Sequence, residues 1–197
     1  MAESVVETIS NPRATSMLLI PKDLPVEKGT PQYYSLRQAI FRAGNECIKP
    51  QSRIVDLRCG EGDFIEPFIE NHQDLCRFLL LDSSWENVCI CASRFHFQTH
   101  LGFVIPSRLD LARGFPEVSA RLIICINGLS ELGIERKEEL LQMAHRHLEN
   151  GGGFILVENL EDEEDQALWQ KMLIKAGFNR VEKIWSLGRT CAWIAKK

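Results

Sequence analysis

The chain has 197 residues, of which 45% are hydrophobic and 25% charged, and its 23 basic and 27 acidic side chains leave a net charge of -4. This is the composition of a folded globular chain and excludes disordered, collagen-like and repeat-biased ones. The mild acidity excludes a broad, sequence-independent hold on nucleic acid or on an anionic membrane, so any RNA partner must be held by local patches.

In chain order, residues 1–30 are irregular, with Pro12, Pro21 and Pro25 interrupting any long helix. They read as an N-terminal arm or lid, partly disordered, ahead of a domain spanning 31–197. Pro31 to Ile48 reads as a helix, because proline suits a first turn and Tyr34, Leu36, Ala39, Ile40, Ala43 and Cys47 roughly keep a helical stripe. From Arg53 strands and helices alternate. The expected strands are Arg53 to Leu57, Arg77 to Leu81, Leu101 to Ile105, Arg121 to Ile126, Phe154 to Val157, Val181 to Ser186 and Thr190 to Ala195. The helices between them are Asp63 to Asn71, Trp85 to His96, Lys137 to Leu148 (ended by Asn150 to Gly153) and Glu163 to Ala176. The alternation predicts an α/β fold: a doubly wound, mostly parallel seven-stranded sheet with helices on both faces and a C-terminal antiparallel hairpin.

Seven cysteines lie at 47, 59, 76, 89, 91, 125 and 191, with no C-x-x-C pair. They read as reduced, buried thiols of a cytoplasmic protein, and no spacing suggests a metal site. The apolar runs are too short for a bilayer, and the start does not read as a secretory leader.

The informative segment is Ile54 to Phe64, IVDLRCGEGDF. A strand ends in an acid, and two glycines then lead into a helix, so backbone can approach a ligand closely. The spacing is not the G-x-G-x-x-G of dinucleotide binders, which makes a nicotinamide-dependent oxidoreductase a poor candidate. The segment resembles the first motif of class I S-adenosylmethionine-dependent methyltransferases, acid-x-Gly-x-Gly-x-Gly. The resemblance continues in order through LLLDSSWENV (79–88), Ser107 to Leu111, Asn127 to Leu132, LENGGGFILVEN (148–159) and Lys175 to Phe178, and so covers about residues 50–197. It implies S-adenosylmethionine as cofactor and S-adenosylhomocysteine as product. The implied cofactor-binding residues are Asp56, Arg58, Cys59, Gly60, Gly62, Asp82, Ser83, Asp110, Leu111 and Asn127. Among them Asp82 stands for the ribose acid, Asp110 for the acid that accepts from the adenine amino group, and Asn127 for the lining of the methyl site. Read without the resemblance, Asp56 is equally a turn-fixing acid, Asp82 a helix N-cap and Asn127 a strand-end turn residue.

Arg58 replaces the motif's first glycine, which either reshapes the methionine end of the pocket, offers a cation to a carboxylate, or marks a lost site. No triad or paired carboxylates occur, as suits a reaction in which the cofactor is already electrophilic and the protein positions the acceptor. Glu131 and Glu158 are the candidates to orient an acceptor or take a proton. The motifs of amino-methylating and pyrimidine-methylating nucleic-acid enzymes are missing after the fourth strand, which leaves a small molecule or a specific protein or RNA acceptor. Two alternatives stand beside this reading: a methyltransferase-like binding module without catalysis, and a carboxy-S-adenosylmethionine synthase, which LIICINGLSELG (122–133) and KAGFNRVEKIW (175–185) resemble.

Overall fold

The computed structural model describes residues 26–160 and 163–197. Most of the expected arm, residues 1–25, lies outside the described residues. The element order is α1 (Pro31–Asn45), β1 (Arg53–Asp56), α2 (Glu66–His72), β2 (Arg77–Asp82), α3 (Trp85–Arg94), α4 (His96–His100), β3 (Val104–Arg108), β4 (Ala120–Ile126), α5 (Ile134–His147), β5 (Leu148–Asn159), α6 (Glu163–Lys175), β6 (Arg180–Leu187) and β7 (Thr190–Lys196).

The seven strands form one sheet in the order β3-β2-β1-β4-β5-β7-β6. Neighbours from β3 to β5 are parallel, while β7 runs antiparallel to both β5 and β6. This is the expected doubly wound sheet with its closing hairpin. The alternation of side chains along β4 explains the two-sided burial. Ile123 and Cys125 join a core with Leu140, Leu141 and Ala144 of α5 and with Trp169 and Leu173 of α6. Leu122 and Ile124 join the opposite core, with Leu36 and Ile40 of α1, Phe68 of α2 and Cys91 of α3. The apolar, β-branched character of β4 therefore follows from burial on both faces.

Helix α1 starts as its sequence predicts. The Thr30 hydroxyl accepts the Tyr33 N–H at 3.2 Å, with proline in the first turn. It packs so closely that a Cβ on Gly44 would stand 2.8 Å from the Phe68 ring and 2.9 Å from Leu122.

Several boundaries differ from expectation. Helix α1 ends at Asn45, because the Cys47 N–H turns back to the Gly44 carbonyl. Helix α2 begins only at Glu66, since Asp63 to Ile65 still belong to the turn. The expected helix to His96 breaks at Phe95, whose ψ of 32° departs from helical backbone, and α4 follows. Strand β3 sits three residues late and contains Pro106, which an edge strand tolerates because the missing donor faces away from the sheet. Residues Leu148 to Gly153 are not a helix-ending turn but the first part of β5, bulged against β4 where the register jumps from Ala120–Leu148 to Leu122–Gly153. The bulge wraps the buried Arg121, whose guanidinium donates to the carbonyls of Cys47 and Asn150. Among the described residues, no helix is long and apolar enough to cross a membrane.

Candidate functional site

The strand order reverses between β1 and β4, and ligands of open α/β sheets bind at the carboxyl ends of the strands flanking such a switch. A cleft of about 90 Å³ lies there, lined among others by Leu57, Arg58, Ser83, Asp110, Leu111, Gly128 and Glu131. Four of the ten sequence-predicted residues thus line the cleft directly: Arg58, Ser83, Asp110 and Leu111. The other six, Asp56, Cys59, Gly60, Gly62, Asp82 and Asn127, do not line it but lie close to lining residues in the chain.

The glycine turn is tied to the second strand. The Cys59 N–H donates to the Leu81 carbonyl at 2.9 Å, and the Gly60 N–H donates to Asp82 Oδ2 at 3.0 Å. Gly62 has φ of +85°, and a Cβ there would meet the Phe95 ring at 2.6 Å, so this position needs glycine on two counts. Gly60, at φ of +53°, faces open space instead.

Asp82 is 3% exposed, and its Oδ1 accepts the Ser84 N–H at 2.8 Å. The helix cap that the sequence left open for Asp82 is Ser84, whose hydroxyl accepts the Asn87 N–H. Both oxygens of Asp82 therefore hold backbone, and each keeps a further lone pair for a ligand hydroxyl. Asp56 is 1% exposed and accepts one N–H, from Arg58, at 3.3 Å. Burial, partly offset by that bond and reinforced by the nearby Asp82, pushes its carboxyl up to about 7. Asp110 accepts the Ala112 N–H at 3.0 Å and stands 3.4 Å from Arg113, with its side chain at the cleft wall.

Arg58 crosses the site. Its guanidinium donates to the Asn127 carbonyl and lies 3.9 Å from Glu131, joining the loop after β1 to the loop after β4. Asn127 is in the left-handed region at φ of +49°, with its N–H on the Val157 carbonyl. Its side-chain Oδ1 is buried and has no hydrogen-bond partner. A Cβ on the following Gly128 would stand 2.5 Å from Cys125 Sγ.

Of the two candidate proton acceptors, Glu131 is exposed at the mouth. Glu158 is fully buried, and its two oxygens accept the N–H groups of Leu129 and Ser130 at 2.9 and 3.2 Å. Burial raises its pKa against those bonds. It fastens the loop after β4 with both oxygens. Arg136, which the sequence reading missed, does the same for the loop after β3, donating to the carbonyls of Leu111 and Gly114. Nothing in a lone arginine on a helix face signals that role, because its partners are backbone atoms distant in sequence.

The residues present fit the cofactor that the resemblance implies. The orphaned Asn127 Oδ1 and the poorly supplied Asp56 carboxyl both call for a donor, and an ammonium brings three. The volume is the obstacle. A cleft of about 90 Å³ is smaller than the ~150 Å³ cavity that takes benzene. Arg58 spans the cleft from the loop after β1 to the loop after β4.

The methyltransferase-domain family matches residues 54–152. No curated protein sequence matches the chain. Among solved structures, the fold is similar to the S-adenosylmethionine-dependent methyltransferase SibL in its apo form, at TM-score 0.63 and 14% identity over 84% of this chain and 56% of that one. It is similar to human N-acetylserotonin methyltransferase in complex with its cofactor, at 0.63 and 19% over 82% and 51%. It is also similar to the DszA carbon methyltransferase, at 0.66 and 17% over 88% and 56%. Identities this low show a shared fold, and the chain spans about half the length of these enzymes.

Proposed function

The chain belongs to the class I S-adenosylmethionine-dependent methyltransferases, whose cofactor is S-adenosylmethionine, and on that premise we propose that it transfers a methyl group to a small molecule or to a specific protein or RNA acceptor. The observation that carries this reading is the pairing of the Gly60 N–H with Asp82 at the switch point, beside a buried Asp56 with a single 3.3 Å donor and an Asn127 Oδ1 with none. Bound S-adenosylmethionine supplies a methyl group on a sulfonium, already electrophilic. The chain's own residues then bind and orient. Asp82 accepts the ribose hydroxyls on its remaining lone pairs, and Asp110 accepts the adenine amino group. Asp56 and Asn127 Oδ1 accept the methionine ammonium. Glu131, exposed at the mouth, orients the acceptor, whereas Glu158 holds the loop that forms the methyl end of the site.

Calorimetric titration with S-adenosylhomocysteine tests the cofactor site. The expected outcome is micromolar binding that Asp82→Ala weakens at least tenfold, with circular dichroism confirming that the variant is folded. A wild-type protein that gives no heat with either cofactor or product overturns the reading.

A second reading has its own support, because Arg58 bridges the cleft and leaves little volume. In that reading the chain is a methyltransferase-like interaction module that has lost catalysis, with Arg58 narrowing its cofactor cleft. It predicts no turnover on any acceptor, and tighter binding of S-adenosylhomocysteine by Arg58→Gly than by the wild type. Equal or weaker binding by Arg58→Gly rejects it.

A further inference from the structure

The glycine turn carries a feature that cofactor binding does not use. The Sγ atoms of Cys59, in the turn, and Cys91, midway along α3, lie 3.7 Å apart, and no other cysteine pair among the described residues makes a sulfur–sulfur contact. Cys91 Sγ donates to the Gly60 carbonyl at 3.2 Å. It also lies 3.3 Å from where a Cβ on Gly62 would stand, so this thiol touches the turn at both glycines. Cys91 is fully buried on a helix inside the core, whereas Cys59 is 6% exposed and sits in irregular backbone.

We propose that Cys59 and Cys91 are a reversible disulfide site whose closure distorts the cofactor turn and weakens cofactor binding. A disulfide needs the sulfurs at about 2.05 Å. The approach from 3.7 Å falls mainly on the turn, because α3 is fixed by its packing. It removes the thiol donor from the Gly60 carbonyl and pulls the Gly60 N–H away from Asp82. The oxidant is a peroxide such as hydrogen peroxide. It first meets Cys59, and the O–O bond breaks as one oxygen adds to sulfur to give a sulfenic acid and one water. Attack by the Cys91 sulfur then forms the S–S bond and releases the second water. The two thiols lose two electrons and two protons, and one peroxide becomes two waters. The thiol of Cys59 is held above its ordinary range by its bond with Cys91, by burial, and by the charges of Asp56, Cys91 and Asp82. The weakening of cofactor binding rests on the proposed cofactor site, while the disulfide itself does not.

The full chain is treated with hydrogen peroxide, alkylated and digested with trypsin. The expected product links the peptide Cys59 to Arg77 with the peptide Phe78 to Arg94, and fragmentation places the bond at Cys59 and Cys91 rather than at Cys76 or Cys89. Oxidised protein is expected to bind S-adenosylhomocysteine at least tenfold more weakly, with full recovery in dithiothreitol. Cys91→Ser, whose hydroxyl still reaches the Gly60 carbonyl, is expected to show no such loss. Absence of the linked peptide overturns the proposal, and so does a linked protein that binds as tightly as the reduced one. If reduced protein binds no S-adenosylhomocysteine, the cofactor reading fails, and the linked peptide alone decides whether the disulfide site exists.

Discussion

Asp56 shows what a single residue at the switch point does for both stability and binding. Its carboxyl is fully buried with one 3.3 Å donor, and burial lifts its pKa from 3.8 to about 7. Between those values the folded chain holds a proton that the unfolded chain has released. Stability therefore falls as pH rises from about 4 to about 7, and the penalty is complete above 7. The shift corresponds to at most about 4 kcal/mol. Asp56→Asn removes this dependence, so its stability relative to the wild type is expected to improve from pH 4.5 to about pH 7 and then to level off in denaturant titrations. A difference that does not change with pH would mean that Asp56 is ionised throughout. The same ionisation makes Asp56 a better acceptor for an ammonium above pH 7, which is why a cofactor site can carry a group that costs stability. This acid was legible as the end of a strand before a glycine turn. Its shifted titration was not, because burial depends on what covers the turn.

At the scale of the element, the glycine turn and the loop after β4 define the site, and their glycines are not equivalent. Gly62 combines a φ of +85° with a Phe95 ring 2.6 Å from the missing Cβ. Gly62→Ala is expected to cost about 2 to 4 kcal/mol from left-handed strain plus overpacking. Gly60→Ala has open space around it and is expected to cost only about 1 kcal/mol, from strain alone. Guanidinium unfolding of the two variants compares them directly, and equal losses would contradict the packing at Phe95. The sequence showed both glycines but could not rank them, since the ring that distinguishes them arrives from α3. Boundaries were misread for related reasons. The start of α2 is delayed by a turn whose Asp63 carboxylate is held by Lys28 and Arg94, partners far away in sequence. The proline and arginine of β3 read as non-strand until its place at the sheet edge is known. Hydrophobic periodicity reports which face is buried, not where pairing begins.

For the molecule as a whole, the sheet separates two cores. The core beneath α1, α2 and α3 supports the glycine turn through Phe95 and Cys91, and both cores extend to β7, with Ala192 and Ile194 on that side and Cys191, Trp193 and Ala195 on the side of α5 and α6. Alternation of strands and helices was enough to foresee the doubly wound sheet. The insertion of β7 between β5 and β6 was not legible beyond the hairpin itself, because strand pairing is chosen by tertiary packing. That packing centres on Trp193, which is 2% exposed in the core beneath α5 and α6 and pairs in register with Leu156 of β5 and Lys183 of β6. β7 is separated from β1 by β4 and β5, and Trp193 does not line the cleft. Trp193→Ala is therefore expected to cost about 3 to 5 kcal/mol of unfolding free energy while leaving the affinity of the remaining folded protein for S-adenosylhomocysteine within a factor of two. Denaturant unfolding and calorimetry on the same preparation measure both quantities. A large fall in affinity together with the fall in stability would show that the hairpin half of the sheet helps to hold the switch point open, and that the two cores act as one unit.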